Sequence, residues 1–150
     1  MKDVKKLIYN HLLNESDEKV KIARQAVISA RESRDGETKS SAGDKHETGR
    51  AMSQIELENS EVQLSKVVNL QIELSQIDIK KDYNRVELGS LVETNQGIYF
   101  ISIGIGKVEI DDETYYAISL ASPIGRHLYM KEIGDCIKFQ EKEITINNIN

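Results

Sequence analysis

Apolar residues recur at helical spacing through the first half of the chain and at strand spacing through the second. In "VKIARQAVISA", Val20, Ala23, Val27 and Ala30 fall at 3-4-3 intervals. Further on, Leu64, Val67, Leu70, Leu74 and Ile77 fall at 3-3-4-3 intervals. Such spacing lines one face of a helix. Each stripe is narrow, which suits a helix packed on a single partner helix. The nearest partner for each is the other, so the pattern predicts an antiparallel hairpin. Residues 45–77, if wholly helical, would extend about 50 Å at about 1.5 Å per residue. A shorter helical pattern, Val4, Leu7, Ile8 and Leu12, opens the chain. Asn14 and Ser16 in "LNESDEK" are suitable N-caps and predict a break there. Gly36, Ser40, Ser41 and Gly43 disfavour helix and place the hairpin turn at about residues 35–44.

The period then changes. "VELGSLVET", "GIYFISIG", "YYAIS", "CIKFQ" and "EITINNI" are short and rich in β-branched and aromatic residues. "NQG" and "DDE" separate them as turns. One short helix is expected at "SPIGRHLYMK", with Ser122 as N-cap and Pro123 at the first helical position, where a missing N–H costs nothing. The sum is an α+β chain: a hairpin over residues 1–80, with its tip near 35–48, and a small, mostly antiparallel sheet domain over 81–150. "IKKDYN", residues 79–84, is the expected joint. Cys136 stands in the alternating run "DCIKF", which predicts a buried thiol.

Charge narrows the partners. Residues 1–80 carry 13 basic and 14 acidic groups, and residues 81–150 carry 7 and 11. Neither half has the basic field of a protein that binds nucleic acid unaided, so sequence-specific DNA binding is not expected. A protein partner is. A single cysteine allows no disulfide framework. There is no signal-peptide pattern and no apolar run of membrane-spanning length, so a cytoplasmic protein without a membrane partner is expected.

"SLASPIGRHLYMKEIGDCIKF" resembles the C-terminal signature of the Gre transcript-cleavage factors, the GreA/GreB family of transcription elongation factors. Ser122, Pro123, Ile124, Gly125 and Arg126 match its Ser-Pro-Ile-Gly/Ala-Arg stretch, and Lys131 to Asp135 match the turn that follows. "GDKHET" places Gly43, Asp44 and Glu47 in the family's tip pattern, with Thr48 where the family has Asn. The loop "RDGETKSSA" is longer and more Ser-rich than usual there. The resemblance implies an N-terminal coiled coil joined to an FKBP-like domain. It implies that RNA polymerase is the partner, docked through Ser122, Pro123, Ile124 and Arg126. It further implies that the coiled coil enters the polymerase's secondary channel, where Asp44 and Glu47 help hold a Mg²⁺ shared with the active site. A water oriented there attacks backtracked RNA near its 3′ end. The chain would then be an accessory factor rather than an enzyme, with no stably bound metal of its own.

The residue types suit that chemistry. Mg²⁺ takes oxygen ligands, keeps waters, and uses one or two carboxylates with phosphate oxygens. In a first helical turn Asp44 and Glu47 are i,i+3 neighbours. The same pair also has the form of a capping box, and acids there favour the helix dipole whatever the function. His46 lies between the two acids in sequence. Arg31, Arg34, Lys39, Lys45 and Arg50 could make a basic side for RNA, but five acids share residues 31–50. An FKBP-like domain also raises prolyl isomerase activity, which needs an aromatic-lined pocket. Two other readings remain open: a polymerase regulator that does not promote cleavage, and a coiled-coil adaptor with no polymerase role.

Overall fold

The computed structural model describes residues 2–38 and 44–150, with side chains described for 3–36 and 48–150. Two long helices come first, α1 (Lys2–Thr38) and α2 (Asp44–Ser75). Six strands and one short helix follow: β1 (Leu91–Thr94), β2 (Gly97–Ile101), β3 (Gly106–Ile110), β4 (Glu113–Ile118), α3 (Pro123–Leu128), β5 (Cys136–Phe139) and β6 (Lys142–Ile149). The layout is α+β, as the change of period predicts. Among the described residues, no helix is long and apolar enough to cross a membrane. The chain divides into two compact units. One joins the residues up to Leu12 with Glu73–Asn150, and the other is Leu13–Ile72.

The hairpin unit packs through one layer of side chains. Val20, Ala23 and Val67 form one buried group, and Val27, Ala30 and Leu57 another, with Leu64 packed against both. Cross-helix contacts fix the antiparallel sense. Gln71 donates to Asp17, Arg31 approaches Glu61 at 3.8 Å, and Arg34 reaches the Gln54 side chain at 3.4 Å. No break occurs at residues 14–16, because α1 runs through them. Ser16 does not cap. Its hydroxyl donates back to the Leu13 carbonyl at 2.9 Å, which absorbs the residue into the helix interior. The turn expected at 35–44 is bounded by the end of α1 at Thr38 and the start of α2 at Asp44, and residues 39–43 lie outside the described residues.

In the sheet unit the strand order is β3-β4-β2-β1-β6-β5. All neighbours are antiparallel except β2 and β4, which run parallel. β3 was not expected from the sequence. It is an edge strand with a single buried side chain, Val108, and so carries a weak signal. Both faces of the central strands are covered, which explains the unbroken apolar run "IYFI". Tyr99 and Ile101 join a core with Leu128 of α3, Ile137, Ile144 and Ile146. Phe100, on the opposite face, meets the ring of Tyr9 from α1 edge-on, at 6.5 Å between centroids. The Tyr9 hydroxyl donates to the Leu74 carbonyl at 3.1 Å. Lys5 is buried beside them. Its ammonium donates to the carbonyls of Lys81 and Asn150, each at 3.2 Å, and lies 4.6 Å from the centre of the Tyr83 ring. These bonds replace the hydration that burial removes.

Candidate functional site

The short helix α3 is built by local chemistry. Ser122 is extended at its start (φ −66°, ψ 155°), and its hydroxyl accepts from the Gly125 N–H at 3.0 Å while donating to the Ser119 carbonyl at 2.7 Å. Pro123 follows in the first turn. A Cβ on Gly125 would stand 2.1 Å from the Ser119 carbonyl oxygen, so glycine lets the helix lie directly on the preceding loop. The outcome is a helix with two distinct sides. Leu128 is buried, and Ile124 packs half-buried against the same core. Pro123, Arg126 and His127 face solvent. Arg126 forms no ion pair with any described residue.

The turn after α3 is fixed by main-chain bonds. Met130 N–H donates to the Val86 carbonyl at 2.8 Å, and Val86 N–H to the Lys131 carbonyl at 2.9 Å. Arg85 pairs with Glu132 at 3.0 Å, and the Asp135 carboxylate accepts from the Glu132 N–H at 2.8 Å. Tyr129, Met130 and Ile133 are left exposed beside Arg126 in sequence. Sequence reasoning placed the turn but missed that these apolar side chains face outward. Cys136 is a correction. It is exposed, because in β5 the alternation turns Ile137 and Phe139 inward and therefore Cys136 outward.

A small pocket of about 240 Å³ opens next to α3. Tyr99, Tyr116, Ile124, Phe139 and Ile144 line it, with Gln96, Gln140 and Lys142. The two tyrosine rings stack at 5.4 Å. Gly97, at φ +138°, makes this arrangement available, since a Cβ there would approach the Tyr116 ring to 3.2 Å. Burial raises the Tyr99 hydroxyl above the usual tyrosine value, and neighbouring Tyr116 adds to the rise. The sequence shows strands rich in aromatic residues without showing which of them converge here. The polar contributors carried no signal.

At the other candidate site, Asp44 is the first residue of α2, and Glu47 lies in its first turn. Their backbone spacing is the i,i+3 spacing read from the sequence. The side chains of both lie outside the described residues, as do those of Lys39, Lys45 and His46. Nearby, Thr48 and Arg50 are exposed. Of the cations considered for a basic side, Arg34 bonds Asp35 at 3.2 Å and Arg31 faces Glu61 across the hairpin. Among the described residues, no three His, Cys, Asp or Glu side chains converge as a metal site.

No protein-family model matches this chain, and no curated protein matches it. Among solved structures, that of the transcription factor Gfh1 is 18% identical, covers 94% of this chain and 90% of its own, and superposes with a TM-score of 0.35. A likeness of that size decides neither fold nor function.

Proposed function

We infer that this chain is an accessory factor of RNA polymerase of the Gre type, docking through its sheet unit and presenting Asp44 and Glu47 at the end of its helical hairpin. The observation that carries the reading is the form taken by the resembling segment. "SPIGRHL" forms a capped helix whose apolar residues, Ile124 and Leu128, turn toward the core while Pro123 and Arg126 face outward, Arg126 without an ion pair among the described residues. Pro123 would suit the start of any helix, so it is the outward Arg126 within the resembling segment that supports docking. In this reading Arg126 and Pro123 contact the polymerase, Ile124 sets the helix on the sheet, and Ser122 fixes its start.

Two carboxylates one helical turn apart fit Mg²⁺, which binds through one or two carboxylates together with waters and phosphate oxygens. Such an ion would supply positive charge to the attacking and leaving oxygens of an in-line displacement. The chain's own contribution is to carry Asp44 and Glu47 to the polymerase-held RNA 3′ end. Two ligands make a poor site alone, so the ion is shared with the polymerase. Thr48, in place of the family's Asn, favours a second reading in which the same docking modulates polymerase without cleavage.

Docking is tested by measuring the affinity of purified polymerase for the full chain and for Arg126→Glu. Charge reversal at a contacting position is expected to weaken binding about tenfold, equivalent to about 1.4 kcal/mol. Unchanged affinity in a folded variant removes Arg126 from the interface.

A further inference from the structure

The geometry points to the pocket beside α3 as a receptor for one apolar side chain carried by an acidic segment of a protein partner. Its size comes first. At about 240 Å³ it is smaller than the roughly 300–1,000 Å³ of ordinary cofactor and drug-sized sites, and matches a single side chain. Five of its eight lining residues are aromatic or aliphatic, and two are held in place: Tyr99 stacks on Tyr116, and Tyr116 lies against Gly97. Its edge is polar, with the side chains of Gln96, Gln140 and Lys142.

Lys142 selects the sign of the ligand. It is the one charged residue lining the pocket. The strand register explains why. Lys142 pairs with Phe139 and shares a face with Ile144, whereas Glu143 pairs with Lys138 on the opposite face. Lys142 forms no ion pair with any described residue. A carboxylate flanking the inserted side chain would supply that partner. A polyanion fits poorly, because residues 81–150 carry 7 basic and 11 acidic groups and Glu141 and Glu143 flank Lys142, whereas a single carboxylate needs only Lys142 itself. Ile124 belongs both to the pocket and to the docking segment, so this site deepens the polymerase reading and rests on it for the partner's identity.

The minimal probes are N-acetyl-L-leucinate and its uncharged amide, N-acetyl-L-leucinamide, titrated into the full chain and followed by two-dimensional NMR. Shifts are expected at Tyr99, Tyr116, Ile124 and Phe139. The acid should bind about threefold more tightly than the amide, as befits one partly exposed ion pair. Lys142→Gln should erase that preference while leaving amide binding unchanged. No shifts at these residues, or equal binding of acid and amide by the wild type, overturns the proposal. Polymerase affinity is measured in parallel, and Lys142→Gln should lower it about threefold. A wild type that binds polymerase without any loss in Lys142→Gln overturns the pocket's docking role and leaves the proposed function standing. Pocket shifts in a wild type that fails to bind polymerase overturn the proposed function and leave an acidic-segment site.

Discussion

The two units bury their apolar residues in different ways. The sheet unit is covered on both faces, and Phe100, Ile101, Leu91, Val92 and Leu128 are withdrawn completely. The hairpin unit has one layer, built largely from small residues: Val20, Ala23, Val27, Ala30, Leu57 and Val67. Other apolar side chains on the same helices, Ile22, Ile28, Met52, Ile55 and Val62, remain exposed, Met52 at 67%. A two-helix layer has no second side against which to bury them. The difference teaches where each unit's stability resides. In the sheet it is spread over many close-packed neighbours, and in the hairpin it is concentrated in a few contacts along a seam.

Core truncations sharpen this contrast most. Phe100→Ala is expected to cost the sheet unit about 3–5 kcal/mol, from lost burial and a cavity that flanking strands cannot close. Leu57→Ala is expected to cost the hairpin about 2 kcal/mol, the low end for such a change, because one open side lets the seam collapse. Hydrogen exchange of the β1, β2 and β6 amides reads the first, and of the α2 amides the second. Equal costs would break the comparison.

Smaller effects are expected at α3. Gly125→Ala forces a Cβ toward the Ser119 carbonyl and should cost about 1–3 kcal/mol. Ser122→Ala removes only the cap and should cost about 1 kcal/mol. Chemical denaturation of the two variants checks the order, and a harmless Gly125→Ala would refute the close approach.

The smallest effect is in alkali. Burial raises Tyr9, Tyr83 and Tyr99 above the usual value of 10.0, with Glu87 and Asp78 adding to the rise at Tyr83. A raised value in the folded state contributes stability that is present below pH 10.0 and lost as pH climbs through the folded values. All three lie in the sheet unit, and Leu13–Ile72 contains no tyrosine. Denaturation midpoints at pH 9 and 11 should therefore fall more for the sheet unit than for the hairpin, and Tyr99→Phe should shrink the sheet unit's fall. A sheet unit that gains stability in this window would contradict the sign.

Much of this was legible where local rules suffice. The stripe Val20, Ala23, Val27 and Ala30 is buried throughout, and Ser122 and Pro123 occupy the cap and first turn that their chemistry favours. Leu57 escaped notice because Ser60 and Glu61 stand where the stripe would continue toward Leu64. Ser16 looked like a cap because its hydroxyl can serve either a helix start or the carbonyl of the preceding turn. Cys136 was misread by phase: the alternation in "DCIKF" was right, but inward Ile137 leaves the thiol outside. Lys5 gave no sign of burial, since only the fold brings the carbonyls of Lys81 and Asn150 to its ammonium. At the candidate site, the helical placement of Asp44 and Glu47 followed from sequence. The pocket did not, because its lining comes from four strands, a helix and two turns.

Transcript cleavage on backtracked polymerase complexes tests the central claim most directly. The chain is compared with Asp44→Asn and Glu47→Gln at equal polymerase occupancy. The wild type is expected to stimulate cleavage, and each amide variant to lose most of that stimulation while binding polymerase as before. The double variant should be little worse than either single one, since the carboxylates act as one site. Raised Mg²⁺ should partly restore the single variants. Equal cleavage by the wild type and both variants would contradict the account and leave the pair as a helix cap, worth about 1 kcal/mol of stability.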